Sequence, residues 1–282
     1  MPVVVVTDSS ARLPQSLTEQ YRIKQVPLHL TLDGVDYREG IDDIPADIID
    51  TPGVTTSGAI PNDLETAFGE AIEESRGDGV VAVHMSRRLS GTWSNARLAA
   101  EQYSGQVRVV DSRSVGLAVG FVALAAGQAS AAGADRDRVY EAAIREAATV
   151  ESLLAVQNLD NLRNSGRMSA ASKLLGSALS IKPILHTVDG SLVLRERHRT
   201  FSKAMAKMLD AAAEMSTDGE VTVGVQHSQA PHLADEVLEK VTARIRKVTS
   251  TLVVDLGPVL GCHVGRGAVG VVIGSGLTPL GE

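Results

Sequence analysis

The chain has 282 residues, 44% of them hydrophobic, with a net charge of −7 at neutral pH; that size suits one large domain or two ordinary ones. Three Phe, one Trp and four Tyr provide no stacking platform for single-stranded nucleic acid, and the acidic balance argues against a broad phosphate-backbone footprint. A single cysteine, Cys262, excludes an internal disulfide framework and a Cys-rich zinc site and fits a reducing compartment.

The opening MPVVVVTDSS lacks the basic start and the long apolar stretch of an export signal, so a cytoplasmic location is expected. Val3–Val6 is the continuous apolar run of a strand covered on both faces. A helix over Pro14–Tyr21 follows, then an extended stretch Gln25–Leu32 that runs into the Asp33-Gly34 turn signal. Asn62–Arg76 reads as an amphipathic helix with Leu64, Ala67, Phe68, Ala71 and Ile72 on its apolar stripe. Strands at Val80–Val83 and Val107–Val110 alternate with helices at Ser94–Tyr103 and Gly116–Ala132. The second of these helices is built of small residues and suited to close packing on a sheet. The longest apolar stretch, Val115–Ala126, falls well short of the roughly 20 residues that cross a bilayer, so no stable membrane insertion is expected. Asp135 predicts a cap for a helix running to about Val150. Repeated strand–helix units of this kind indicate a parallel sheet covered by helices.

The texture changes near residue 150. A strand at Leu153–Asn158 leads to short helices at Leu159–Asn164 and Ala170–Leu179, and then to a hairpin, ILHTVDGSLVLRER, turning at Asp189-Gly190. Helices at Ser202–Met215 and His232–Val248 alternate with strands at Val221–Gln226, Ser250–Asp255 and Ala268–Ile273. The expected organisation is an α/β domain over residues 1–150, three-layered around a parallel sheet, followed by an α+β domain over 151–282 with a mixed, partly antiparallel sheet.

Ligands of a parallel α/β sheet bind beyond the carboxyl ends of its strands. There the sequence places Thr7, Asp8, Ser9 and Ser10, then His84, Ser86, Ser90 and Thr92, then Asp111, Ser112 and Ser114. Each alone reads equally well as a helix cap, but together they suggest one hydroxyl-rich rim. Thr55, Thr56 and Ser57 add three hydroxyls before the Asn62 helix. Ser90-Gly91-Thr92 is expected to expose backbone N–H groups at a helix start, a setting suited to a carboxylate or phosphate, with Gly91 allowing close approach. Ser90 could instead be a nucleophile, although RLSGT lacks the glycine that precedes the serine of a strained elbow. Residues 255–274 carry six glycines and read as a tight loop holding His263. The Gly265-x-Gly267-x-x-Gly270 spacing there leads into a strand, not a helix, which argues against a dinucleotide. No paired His or Cys stands at metal-ligand spacing. Arg163, Arg167, Lys173, Lys182, Arg195, Arg197, Arg199 and Lys203 form a basic concentration around a Leu-rich helix (Leu174, Leu175, Leu179). It reads as a solvated face, an anion site or a docking surface.

Eight segments, in order and spanning almost the whole chain, resemble the DegV family. They are VTDSSARLP, VPLHLTLDG with YREG, TTSGAIPNDL, LSGTWSNARLAAE, VVDSRSVGLAVG, LDNLRNSGRMSAASKLLGSALSIKPIL, DGSL with HRTFSKAM, and GPVLGCHVGRGAVGVV. The resemblance implies a bacterial fatty-acid-binding protein, the FakB-type subunit of fatty acid kinase. Such a subunit is not itself an enzyme, takes no cofactor or metal, and buries a long-chain fatty acid whose carboxylate it presents to a separate ATP-dependent kinase. Carried over, the carboxylate site is Thr56 with Ser57 beside it, Ser90, Gly91 and His263. Arg167 and Arg199 correspond to the motif arginines of the head group or kinase-docking surface. The sequence departs from the family pattern at Gly58, Ala59 and Ile60, and at Arg266, which would set an extra cation beside the histidine. The alternatives weighed against this reading are a serine-dependent lipid hydrolase using Ser90 and a binder of another small anion.

Overall fold

A computed structural model describes residues 2–168, 181–216, 219–278 and 280. The apolar runs form a four-stranded, all-parallel sheet in the order β2-β1-β6-β7: β1 (Val4–Asp8), β2 (Ile23–Val26), β6 (Val80–His84) and β7 (Val107–Asp111). Helices α2 (Pro61–Ser75) and α3 (Thr92–Glu101) pack on one face, and α4 (Leu117–Ala131) and α5 (Arg136–Thr149) on the other. The short helix α1 (Gln15–Gln20) leads into β2.

A second sheet has six strands in the order β10-β9-β8-β13-β11-β12. Its members are β8 (Glu151–Ala155), β9 (Lys182–Val188), β10 (Ser191–His198), β11 (Val221–His227), β12 (Val248–Asp255) and β13 (Val269–Gly274). All pairs are antiparallel except β11 with β12. Helices α7 (Phe201–Met215) and α8 (Pro231–Thr242) cover one face of it, while α4 covers part of the other. The mixed α/β architecture expected from the sequence is therefore present, with a parallel and a mixed sheet.

Helix α4 explains how the two sheets meet. It touches β1 and β6 of the parallel sheet and β11 and β13 of the mixed one, and nearly every residue in it is buried. A helix that is apolar all round is stable only when both sides are covered. Small residues permit the close approach: a Cβ at Gly120 would lie 2.5 Å from the Ala11 carbonyl, and one at Gly224 2.5 Å from Leu117.

Several expectations need correction. Gln25–Leu32 is two strands in different sheets, because Pro27 has no N–H to donate and the chain leaves the parallel sheet there. The second piece, β3 (His29–Leu32), instead pairs with β4 (Val35–Arg38) and β5 (Thr55–Ser57) in a small antiparallel sheet. The Asp33-Gly34 turn between β3 and β4 is as read, with both residues at positive φ. Thr55–Ser57 thus lies in a strand and caps no helix; the residue at the start of α2 is Ile60, without a side-chain cap. Helix α8 ends at Thr242, because Ile245 turns into the core and Val248 already begins β12. The segment around His263 is not a loop: Gly257–Val264 is helix α9, and Gly265, at φ 76°, stops it. The short helix α6 (Asp160–Asn164) packs against α9. The expected helix Ala170–Leu179, with Lys173, Leu174, Leu175 and Leu179, lies outside the described residues.

Candidate functional site

Strand β5, the loop before α3, the start of α4, strand β11 and helix α9 converge on one narrow sleeve. Its wall is mostly aliphatic, with Leu28, Met85, Leu89, Leu154, Leu192 and Leu260 among the residues that line it. The enclosed space is about 70 Å³, a small fraction of the ~300–1,000 Å³ of most organic-ligand pockets. Polar groups gather at one part of the lining: Thr56, Ser57, Ser90, Arg167 and His263.

Thr56 and His263 come from positions 207 apart and share a hydrogen bond of 2.7 Å between Oγ1 and Nε2. Burial, with the Arg167 charge adding to it, pushes the His263 pKa down to about 4, so the ring is neutral at physiological pH. Ser90 Oγ pairs with Thr92 Oγ1 at 2.9 Å and accepts from the Thr92 amide. That amide is therefore occupied, which corrects the expectation of a free N–H cradle there. Gly91 is exposed at the start of α3, outside the sleeve, and a Cβ on it would meet nothing within 4 Å. The glycine that sterics do require is Gly58, where a Cβ would lie 2.5 Å from Thr92 Oγ1 and 2.7 Å from Ser90 Oγ. Gly58 thus marks a close approach of β5's end to the Ser90 corner. Thr92 Oγ1 also accepts from the Ala59 amide, and Asn95 donates to the Ala59 carbonyl, which fastens the two segments together.

A polar cleft of about 680 Å³ adjoins the sleeve, and the two share Thr56, Arg167 and His263. Asp50, Thr51, Asn161, Asn164 and Cys262 also line the cleft. Arg167 donates to the carbonyls of Ser165 and Leu89 and has no carboxylate partner among the described residues. Arg266 is not in the sleeve; it ion-pairs with Asp50. Arg199 is exposed just before α7 and does not line the sleeve. Lys182 is held by the Gln157 carbonyl and side chain.

Most of the rest of the predicted rim is buried framework, Asp111 excepted, which is partly exposed and pairs with Arg87. Asp8 accepts from Ser10 and from the Met85 amide and contacts His84 Nδ1 at 3.1 Å. Ser86 donates to the Gly190 carbonyl, joining β6's end to the β9–β10 turn. Ser90 has no His or carboxylate hydrogen-bonded to it among the described residues, so the base a nucleophile needs is not in place.

Sequence reasoning missed two groups. Glu39, from YREG, is 2% exposed and accepts from Ser9 Oγ at 2.6 Å and from the Val259 amide at 3.0 Å, with Arg12 3.7 Å away. It satisfies an N–H in the first turn of α9 and so fixes the helix that carries His263. Its signal was an acid inside a motif, indistinguishable from its exposed acidic neighbours. Gln226, 3% exposed on β11, accepts from the Leu117 amide at 2.9 Å and lines the sleeve.

An α/β molecule of two large sheets and one small one, enclosing an apolar sleeve with hydroxyls and a neutral imidazole on its wall, belongs to the class of small-molecule-binding folds. The family model described as uncharacterised protein, DegV family, matches residues 2–275, and the chain belongs to the DegV family. It is 48% identical over 279 residues to a DegV domain-containing protein of Mycobacterium tuberculosis, covering 99% of each. A DegV family protein from Thermus thermophilus, described by its fatty acid binding, superposes with a TM-score of 0.91 at 30% identity, covering 98% of this chain and all (100%) of that one. A Thermotoga maritima protein, said to reveal fatty acid binding function, gives 0.84 at 25% identity over 98% and 99% of the two chains. Among the described residues no helix is long and apolar enough to cross a membrane, and no group of three or more His, Cys, Asp or Glu could hold a metal ion.

Proposed function

We propose that this chain binds a long-chain fatty acid in the sleeve and presents its carboxylate, through the polar cleft, to a separate ATP-dependent fatty acid kinase that forms the acyl phosphate. The observation that carries the reading is the Thr56–His263 hydrogen bond, set where the apolar sleeve and the polar cleft share their lining. In this reading Thr56, Ser57, Ser90 and His263 hold the carboxylate, and the main chain at Gly91 borders the corner. Arg167 lies at the junction with the cleft and Arg199 on the outer surface that meets the kinase. A neutral imidazole and alcohols give hydrogen bonds to an anion without the salt-like grip that would slow its release. The hydrocarbon supplies most of the affinity: each buried CH₂ contributes about 0.8 kcal/mol, so about 16 carbons gain on the order of 10 kcal/mol before ordering costs. The protein then acts as a non-catalytic carrier in the cytoplasm. Residues 1–150 and 151–282 form its two domains. DegV relatives described as fatty-acid-binding support the ligand.

Native mass spectrometry of the purified chain tests this directly: a fatty-acid mass adduct is expected. Ser90→Ala and Thr56→Ala should each weaken palmitate or oleate binding about tenfold or more, with the fold intact by circular dichroism. A chain that carries no adduct and gains no thermal stability from either acid is not a fatty-acid carrier. Charge reversal at Arg199 should slow phosphorylation by the kinase and leave acid binding unchanged.

A further inference from the structure

Gln226 is a polar group of the sleeve that the carboxylate site does not use. Gln226 stands on β11, 3% exposed, among glycine and aliphatic residues such as Gly116, Leu154 and Leu256. Its amide orientation is set by its neighbours. The Leu117 amide at the start of α4 donates to it at 2.9 Å, and only the carbonyl oxygen can accept, so Nε2 takes the other side. Gly116 keeps that arrangement open, since a Cβ there would lie 2.3 Å from Oε1. Gly270, the register partner of Gln226 on β13, leaves space beside Nε2, with a Cβ position 3.2 Å away. Among the described residues Nε2 donates no hydrogen bond.

A fixed amide NH₂ in an otherwise apolar wall is costly to cover with an alkyl chain, because the donor then has neither water nor an acceptor. We propose that the sleeve selects acyl chains bearing an oxygen along the hydrocarbon, a hydroxyl or a keto group, and that Gln226 Nε2 is the donor that reads it. This rests on the sleeve being the fatty-acid site. A cis double bond offers only a weak π acceptor and a saturated chain offers none, so at equal length the order of affinity is oxygenated, then unsaturated, then saturated. Were Gln226 merely a cap for α4, its oxygen alone would matter and an oxygen on the chain would gain nothing.

The test uses the delipidated full chain in calorimetric titrations with stearate, oleate, and hydroxy- and ketostearates whose oxygen is moved along the chain. One oxygen position should bind about tenfold tighter than stearate, the worth of one well-made hydrogen bond. Gln226→Met should erase that preference, each oxygenated acid being compared with stearate in the same variant so that any general loss of binding cancels. Gln226→Glu keeps the acceptor for Leu117 but replaces the donor, so it should still favour the hydroxyl, which can donate, and reject the ketone. If no oxygenated acid outcompetes stearate, or if the preference survives in Gln226→Met, the selection does not exist. If no fatty acid binds at all, the carrier reading itself falls.

Discussion

His263 is kept neutral by two effects acting in the same direction. Burial removes the water an imidazolium would need, and Arg167 opposes a second cation; the pKa falls from 6.5 to about 4. Because the fold disfavours the protonated ring, the associated stability is full above about pH 6.5 and is lost as pH falls from there towards 4. His263→Gln should therefore lose less thermal stability than the parent chain over that interval. Parallel melting curves for the two proteins would refute the assignment. Gly58 carries a second residue-scale prediction. The methyl of Gly58→Ala would crowd two short hydroxyls at the Ser90 corner, with a cost of about 1–3 kcal/mol in urea unfolding and weaker fatty-acid retention. Equal unfolding midpoints would mean the corner has slack. The hydroxyls themselves were readable from sequence, since Ser and Thr stood at predicted strand ends. The need for Gly58 was not, because Ser90 and Thr92 reach it only across the fold.

Helix α9 is the element on which the site depends. Its sequence, GPVLGCHV, is poor in intrinsic helix formers and reads as a loop. One local and two distant contacts hold it as a helix: Asp255 accepts from the Gly257 amide at 2.7 Å, Glu39 accepts from the Val259 amide, and α6 packs against its side. Removing one partner of a buried charged network leaves the others uncompensated, so Glu39→Ala should cost about 3–5 kcal/mol. Its second readout is positional: fatty-acid retention should fall along with stability, and Glu39→Gln, which keeps an acceptor for Val259, should restore part of both. Retention unaffected in Glu39→Ala would show that α9 holds its place without the cap. The strands β1, β6 and β7 behave differently. Their apolar runs predict them within a residue or two, because β1 and β6 are buried throughout and β7, at the sheet edge, still presents a Val-rich run.

At the scale of the whole molecule, helices α4 and α5 connect the sheets to the end of the described chain. Glu146 on α5 is 1% exposed; its Oε2 accepts from the Gly276 amide at 2.7 Å, while Oε1 has no hydrogen-bond partner among the described residues. Burial raises its pKa from 4.5 to about 7. The native state favours the protonated acid, so the contribution is full below pH 4.5 and is lost as pH rises through about 7, a change on the order of 3 kcal/mol. Glu146→Gln should flatten the decline in stability between those pH values in chemical denaturation. A decline of the same size in the variant would place its cause elsewhere. His263 and Glu146 therefore act in opposite directions, one eroding stability in acid and the other towards neutrality. The sequence by itself determined the alternation of strands and helices, the change of texture near residue 150, the family and the hydroxyl-bearing segments, because each depends on local periodicity or on short motifs. Only the tertiary structure decided which hydroxyls face the sleeve, that His263 rides on a capped helix, and that Glu39 and Gln226 matter. Those outcomes depend on contacts between distant segments, such as the packing of Ile48–Asp50 against α9 and the hydrogen bond between Thr56 and His263, and no local pattern encodes such meetings.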